Sequence, residues 1–186
     1  MAAARAFATH NVSVRDVMET VHCDREMGPD HPDNLASVHN IAYAYMTVGR
    51  TGEAIDLFRR NVADYERVLG PDHPNTMTSR NNLAYACESA GRVNEAIDLY
   101  TRTLADRERV LGPDHPSSLV SRKNLAYALD LLIRRVADHP DMRVNLSVAY
   151  TRVLRRTDAG RILAYFERVL GPDHPTTVAA SGALAK

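Results

Sequence analysis

The sequence is poor in cysteine, carries no surplus of either charge, and contains no apolar run long enough to span a bilayer. Each shortage removes a class of function. Two cysteines, Cys23 and Cys87, cannot form a disulfide framework and have no neighbours at metal-ligand spacing, which suits a reducing cytosol. Lys plus Arg and Asp plus Glu number 23 each, so no global field draws in nucleic acid or an acidic membrane surface. The balance drifts along the chain. Residues 1–133 hold 14 basic and 18 acidic side chains and residues 134–186 hold 9 and 5, a mild dipole that names no partner. With no stretch of about 18 apolar residues, no membrane span is expected. The opening MAAARAFATHNVSV lacks a secretory apolar core and reads as a chain terminus rather than a leader.

Helix breakers are confined. All nine prolines fall in His139–Pro140 or in four copies of one pentapeptide, GPDHP. It occurs as EMGPDHP at 26–32 and as VLGPDHP at 68–74, 110–116 and 169–175. Four of the nine glycines lie in those copies, and Gly49, Gly52 and Gly91 fall midway between them. The intervening segments are left free to be helical. Gly28, Gly70 and Gly112 are 42 residues apart, whereas Gly112 to Gly171 is 59. Residues 79–112 match 38–70 along their length, so the chain is a tandem repeat.

Within a unit the apolar residues follow a helical period. Val38, Ile41, Ala42, Tyr45 and Val48 recur at spacings of three and four, and Ala54, Ile55, Phe58, Val62 and Leu69 form a second stripe. Two helices this short are marginal alone and must bury their stripes on each other and on the next unit. The pentapeptide then reads as a stop followed by a start. Gly70 suits a left-handed residue after Leu69, Pro71 prevents continuation, Asp72 or His73 supplies the next cap, and Pro74 fits a first helical turn.

The segment NNLAYACESAGRVNEAIDLYTRTL at 81–104 resembles the tetratricopeptide helix–turn–helix signature. Leu83 and Ala84 stand at its large-then-small core pair, Gly91 at its turn, Ala96 at its small contact and Tyr100 at its aromatic. Ile41, Ala42, Gly49, Ala54 and Phe58 fill the same places one unit earlier. The 42-residue form is similar to the repeats of kinesin light chains and of bacterial regulators that join such arrays to nucleotide-switch domains. The resemblance covers 32–112 in full. It implies an all-α, right-handed α-solenoid of antiparallel helix pairs, serving as a non-catalytic protein- or peptide-binding scaffold in the cytoplasm.

The expected organisation is a half-repeat with an outer-type helix at 1–31, full repeats at 32–73 and 74–115, a truncated repeat at 116–139, a shortened one at 140–174 and an incomplete helix at 175–186. The third unit runs DLLIRRVADHPD without a glycine turn, which leaves two helices broken near 130–133 as the alternative and favours one uninterrupted helix over 116–137. Residues 140–155 would then take the place of an outer helix although they resemble an inner one, with a short turn at 155–161. The ending TTVAASGALAK is the first part of another inner helix and favours an array cut short or degenerate.

Catalytic and metal chemistry find little support. Five of eight histidines precede proline, but equivalent positions in stacked helices lie at least one interhelix distance apart, about 8–10 Å, and cannot share an ion. No cofactor is expected. GRTGEA at 49–54 lacks a phosphate-loop pattern and reads as a turn, and Cys87 shares its slot with Tyr45 and Leu129, which makes it a buried small hydrophobe. The arginine pairs at 59–60, 134–135 and 155–156 read as solvated helix faces.

One polar set recurs with the period. Asn40, Asn82 and Asn124 are each followed three residues later by Tyr43, Tyr85 and Tyr127, with His39, Asn81 and Lys123 beside them. Residues i and i+3 share a helix face. In the resembled family this face of the inner helix lines a groove, which makes the nine residues a candidate peptide-binding set. Asn can pair with an extended backbone and Tyr offers flat contact with a polar tip. Bonds from Asn to a neighbouring helix stay open, and for the tyrosines packing between units is the reading the sequence favours. Partners are therefore a protein or an extended peptide, not nucleic acid or membrane. Two other roles stay open: the sensor fragment of a nucleotide-switch regulator, and self-association through the C-terminal helix.

Overall fold

The computed structural model describes residues 31–138 and 159–184, and they form helices joined by short turns, with no strand among them. The elements are α1 (Pro32–Thr47), α2 (Thr51–Leu69), α3 (Pro74–Ser89), α4 (Val93–Leu111), α5 (Pro116–Asp138), α6 (Ala159–Leu170) and α7 (Pro175–Leu184). The chain divides into two compact units, 1–86 and 87–186, with the division inside α3. The expected half-repeat at 1–31, apart from His31, lies outside the described residues. So do Cys23, the His139–Pro140 pair and the segment 140–155.

Helices start where the sequence places a proline after a histidine. Pro32, Pro74, Pro116 and Pro175 each open a helix, where the missing proline N–H leaves nothing unsatisfied. The preceding carbonyl accepts the first helical bond: His31 from Leu35 at 3.1 Å, His73 from Met77 at 3.1 Å, His115 from Leu119 at 3.0 Å and His174 from Val178 at 3.0 Å. The cap position falls on the histidine, and in two copies its ring completes the cap. His73 Nδ1 accepts the Asn75 N–H at 3.2 Å, and His115 Nδ1 accepts the Ser117 N–H at 3.1 Å.

Helices end in two ways. After α1 and α3 the chain forms a Schellman turn: Arg50 N–H reaches Tyr45 O at 2.9 Å and Arg92 N–H reaches Cys87 O at 2.8 Å, with Gly49 and Gly91 at positive φ. After α2 and α4 the terminating glycine is different. Gly70 lies at φ 85°, ψ 165° and Gly112 at φ 92°, ψ 156°, and each N–H closes onto the carbonyl four residues back at 3.1 Å. This is not the left-handed helical conformation expected from sequence. It is an extended region at positive φ that essentially only glycine occupies.

In the first unit α1 packs on α2. Leu35, Ile41, Ala42 and Tyr45 meet Ala54, Ile55, Phe58, Val62 and Tyr65, all buried. Phe58 is fully enclosed, and burial of such a side chain is worth about 1.5–3 kcal/mol. Asn61, also fully buried, ties three helices together: its amide donates to Leu35 O at 2.7 Å and its oxygen accepts from Ser79 Oγ at 2.7 Å. Three members of the expected stripes fall outside the core, Val38 among them as a half-buried side chain. Val48 is 54% exposed because α1 ends at Thr47, and Leu69, the last residue of α2, is half-buried.

In the second unit α4 packs on α5, and α7 packs on α6 and on α5. Ile97, Tyr100 and Leu104 of α4, Leu125, Leu129 and Leu132 of α5, and Ile162 and Phe166 of α6 are buried, as is the Cys87 thiol. The helix α5 runs unbroken for 23 residues, past the point where a repeat of regular length would turn. Of the turn expected at 155–161, residues 159–161 are already helical at the start of α6, and 155–158 lie outside the described residues.

Candidate peptide-binding surface

The recurrent pentapeptide uses its polar groups internally. Besides the histidine caps, Thr76 Oγ1 donates to Gly70 O and Ser118 Oγ to Gly112 O, each at 2.8 Å. A buried arginine clamps each of the joints at Gly70–Pro74 and Gly112–Pro116. Arg80, 1% exposed, donates to Glu66 at 2.7 Å; Arg122 pairs with Glu108 and also donates to Pro113 O at 3.2 Å. These pairs escaped notice in the sequence, although the signal is there: glutamate and arginine 14 residues apart recur together at 66 and 80, then at 108 and 122. His174 differs, lying with its Nε2 3.6 Å from Asp130 Oδ1, which also accepts from Arg134 at 2.9 Å through its other oxygen. Among the described residues no group of three or more His, Cys, Asp or Glu could hold a metal ion.

The Asn–Tyr set sits on the inner helices α1, α3 and α5. In the first unit His39, Asn40 and Tyr43 lie on α1, and Asn81, Asn82 and Tyr85 on α3. Both tyrosines project into solvent, 53% and 48% exposed, although their chain neighbours Ala42 and Ala84 are fully buried. Neither side chain is enclosed in the core, and each is about half covered. Asn40, Asn81 and Asn82 are half-buried. Asn82 Nδ2 lies 3.2 Å from His39 Nε2, so the amide donates when that ring nitrogen is unprotonated. His39 meets the Phe58 ring edge-on at 5.4 Å between centroids, and burial lowers its pKa by disfavouring the imidazolium.

The second unit carries Lys123, Asn124 and Tyr127 on α5. Tyr127 is 55% exposed beside the buried Ala126, Lys123 is exposed and Asn124 half-buried. The structure thus brings His39 and Asn82 into contact and leaves the three tyrosines in solvent. Arg59, Arg60, Arg134 and Arg135 are exposed as expected, while Arg155 and Arg156 lie outside the described residues. Arg135 also donates to Gly91 O at 2.8 Å, closing over the α3–α4 turn.

Paired helices of this length, joined at a glycine turn and repeated every 42 residues, are what the family model of the tetratricopeptide repeat matches at residues 33–108 and 81–135. The chain belongs to the tetratricopeptide repeat family. This tetratricopeptide repeat chain is similar to two solved structures of a candidate kinesin light chain from Podosopora anserina with nearly identical TPR-like repeats. A singly substituted form gives a TM-score of 0.63 at 27% identity and the other form 0.63 at 26%, each over 92% of this chain and 74% of that one. It is also similar in fold to BtubC (BKLC) from P. vanneervenii, at a TM-score of 0.50 and 14% identity over 92% of this chain and 77% of that one. No curated protein sequence matches it. The tetratricopeptide repeat chain is an all-α solenoid of antiparallel helix pairs, an architecture that generally serves as a protein-interaction scaffold. Among the described residues no helix is long and apolar enough to cross a membrane.

Proposed function

We propose that this chain is a non-catalytic scaffold in a reducing cytoplasm that binds extended protein segments on the inner-helix faces that bear the Asn–Tyr set in each unit. One observation carries the reading. Tyr43, Tyr85 and Tyr127 recur at the same place in three repeats and hold their rings about half in water, where packing does not require an aromatic. A phenol ring is a large contact surface with few rotamers to freeze, and tyrosine is enriched among residues that dominate binding energy. The asparagines beside them carry side-chain amides, groups of the kind that pair with an extended backbone, and Asn82 already meets His39. Cys87, a buried free thiol, suits a reducing compartment.

The test is the triple variant Y43S/Y85S/Y127S against the parent chain. Both should show the same helical circular dichroism and melting temperatures within a few degrees, since exposed rings contribute little to the core. Retention of peptides from an immobilised random-sequence library should fall at least about tenfold, the cost of losing anchors worth more than about 1 kcal/mol each. A variant that unfolds would instead make the tyrosines structural. A folded variant with unchanged retention would place binding on another surface.

A further inference from the structure

Charge is partitioned between the two kinds of helix. Beyond Asp33 at its start, α1 contains no acid, lysine or arginine. Its exposed side chains after that first turn are Ala36, Tyr43 and Thr47, which with Asn40 fall at spacings of four, three and four and share one face. In the first-unit part of α3, residues 74–86, the sole charged residue is Arg80, buried and bound to Glu66. There Thr78, Asn82 and Tyr85 repeat the α1 pattern. The outer helix α2 is the opposite: it exposes Glu53, Asp56, Arg59, Arg60 and Arg67. In the second unit the first three turns of α5 expose Lys123 alone as a charge, since Arg122 is buried on Glu108.

Building on peptide recognition as proposed above, we infer that the inner-helix face selects extended segments lacking charged side chains. The face supplies amides, hydroxyls and phenol rings, which satisfy a peptide backbone and neutral side chains. On α1 after its first turn and on the first-unit part of α3 it supplies no counter-charge, and the selection belongs to that first-unit face; Lys123 on α5 is outside it. An acidic or basic ligand side chain pressed against it would be stripped of water without a partner, which is costly. A positive side chain over a tyrosine ring would recover only about 0.5–1 kcal/mol at an exposed site. Discrimination therefore comes from what the face withholds. Binding that gains nothing from ion pairing should also be nearly independent of salt.

A phage-displayed library of random linear peptides, selected on the intact chain, tests this directly. Peptides recovered in a Tyr43- and Tyr85-dependent manner should be depleted in Asp, Glu, Lys and Arg relative to the input. Their affinity should change less than about threefold across roughly a tenfold range of ionic strength. The exposed position Ala36 gives a control on a folded chain: A36E should shift recovery toward basic peptides and A36K toward acidic ones. Recovery by the parent chain of peptides rich in either charge, with steep salt dependence, would overturn the selectivity and leave peptide recognition standing. Recovery of no peptide by the folded chain would remove both.

Discussion

A methyl group on Gly70 would meet no atom within 4 Å, yet the residue cannot readily be replaced. Its φ of 85° with ψ at 165° is forbidden to side chains by their own backbone and not by crowding. Gly70→Ala should therefore destabilise the chain by about 1–3 kcal/mol in urea titration, with the slope of the transition unchanged. An equal loss at Gly112→Ala would follow from the same backbone geometry. His39 gives a residue-level dependence on pH. Burial holds its pKa below 6.5 in the folded chain, so on acidification the unfolded chain takes up the proton first. Its contribution to stability is full above pH 6.5 and is lost as pH falls through that value toward the lower folded pKa. Melting temperatures measured across this window should decline toward acid, and H39Q should flatten that decline.

Elements were the most legible level. Proline or glycine marks each joint seen between adjoining helices, and the absence of both between Pro116 and Pro140 favoured the continuity of α5. A proline at Ile133 tests that continuity: I133P should cost about 3 kcal/mol or more and reduce helical circular dichroism, whereas a natural break there would tolerate it. Burial was less legible at element ends. Val48 fits the apolar period but stands beyond the last turn of α1, where helical phase no longer decides which way a side chain faces. Contacts between elements were harder still. Asn61 meets Leu35 and Ser79, and Arg80 meets Glu66, because the joint folds one helix back on another, and spacing along one helix cannot register that. The candidate site was half visible. Period placed Asn and Tyr on one face, but their solvent exposure depends on what covers that face, and the link from Asn82 to His39 joins residues 43 apart.

At the scale of the whole molecule, charges of both signs gather on outer helices in close pairs such as Asp64–Arg67 and Asp106–Arg109. Exposed pairs of this kind contribute about 0–1 kcal/mol each and act chiefly to keep those helices hydrated. They also cancel. With a sequence pI of about 7.1 the chain has no net charge at neutral pH and little repulsion between copies. Light scattering at fixed concentration should peak near pH 7 and fall on either side. A peak that ignores pH would point to association through a specific apolar contact.

The glycine-to-proline joint has a consequence for how such a chain can change over generations. Terminator and initiator travel together in one short cassette, so the next helix is begun without reference to the length of what came before. The last copy demonstrates this. It follows an interval of 59 residues in place of 42, yet Gly171 keeps φ at 94°, its N–H still reaches Glu167 O at 3.1 Å, and a helix still opens at Pro175. Copies can thus be spliced in, trimmed or allowed to drift without retuning their neighbours, and inheritance acts on this protein by the module.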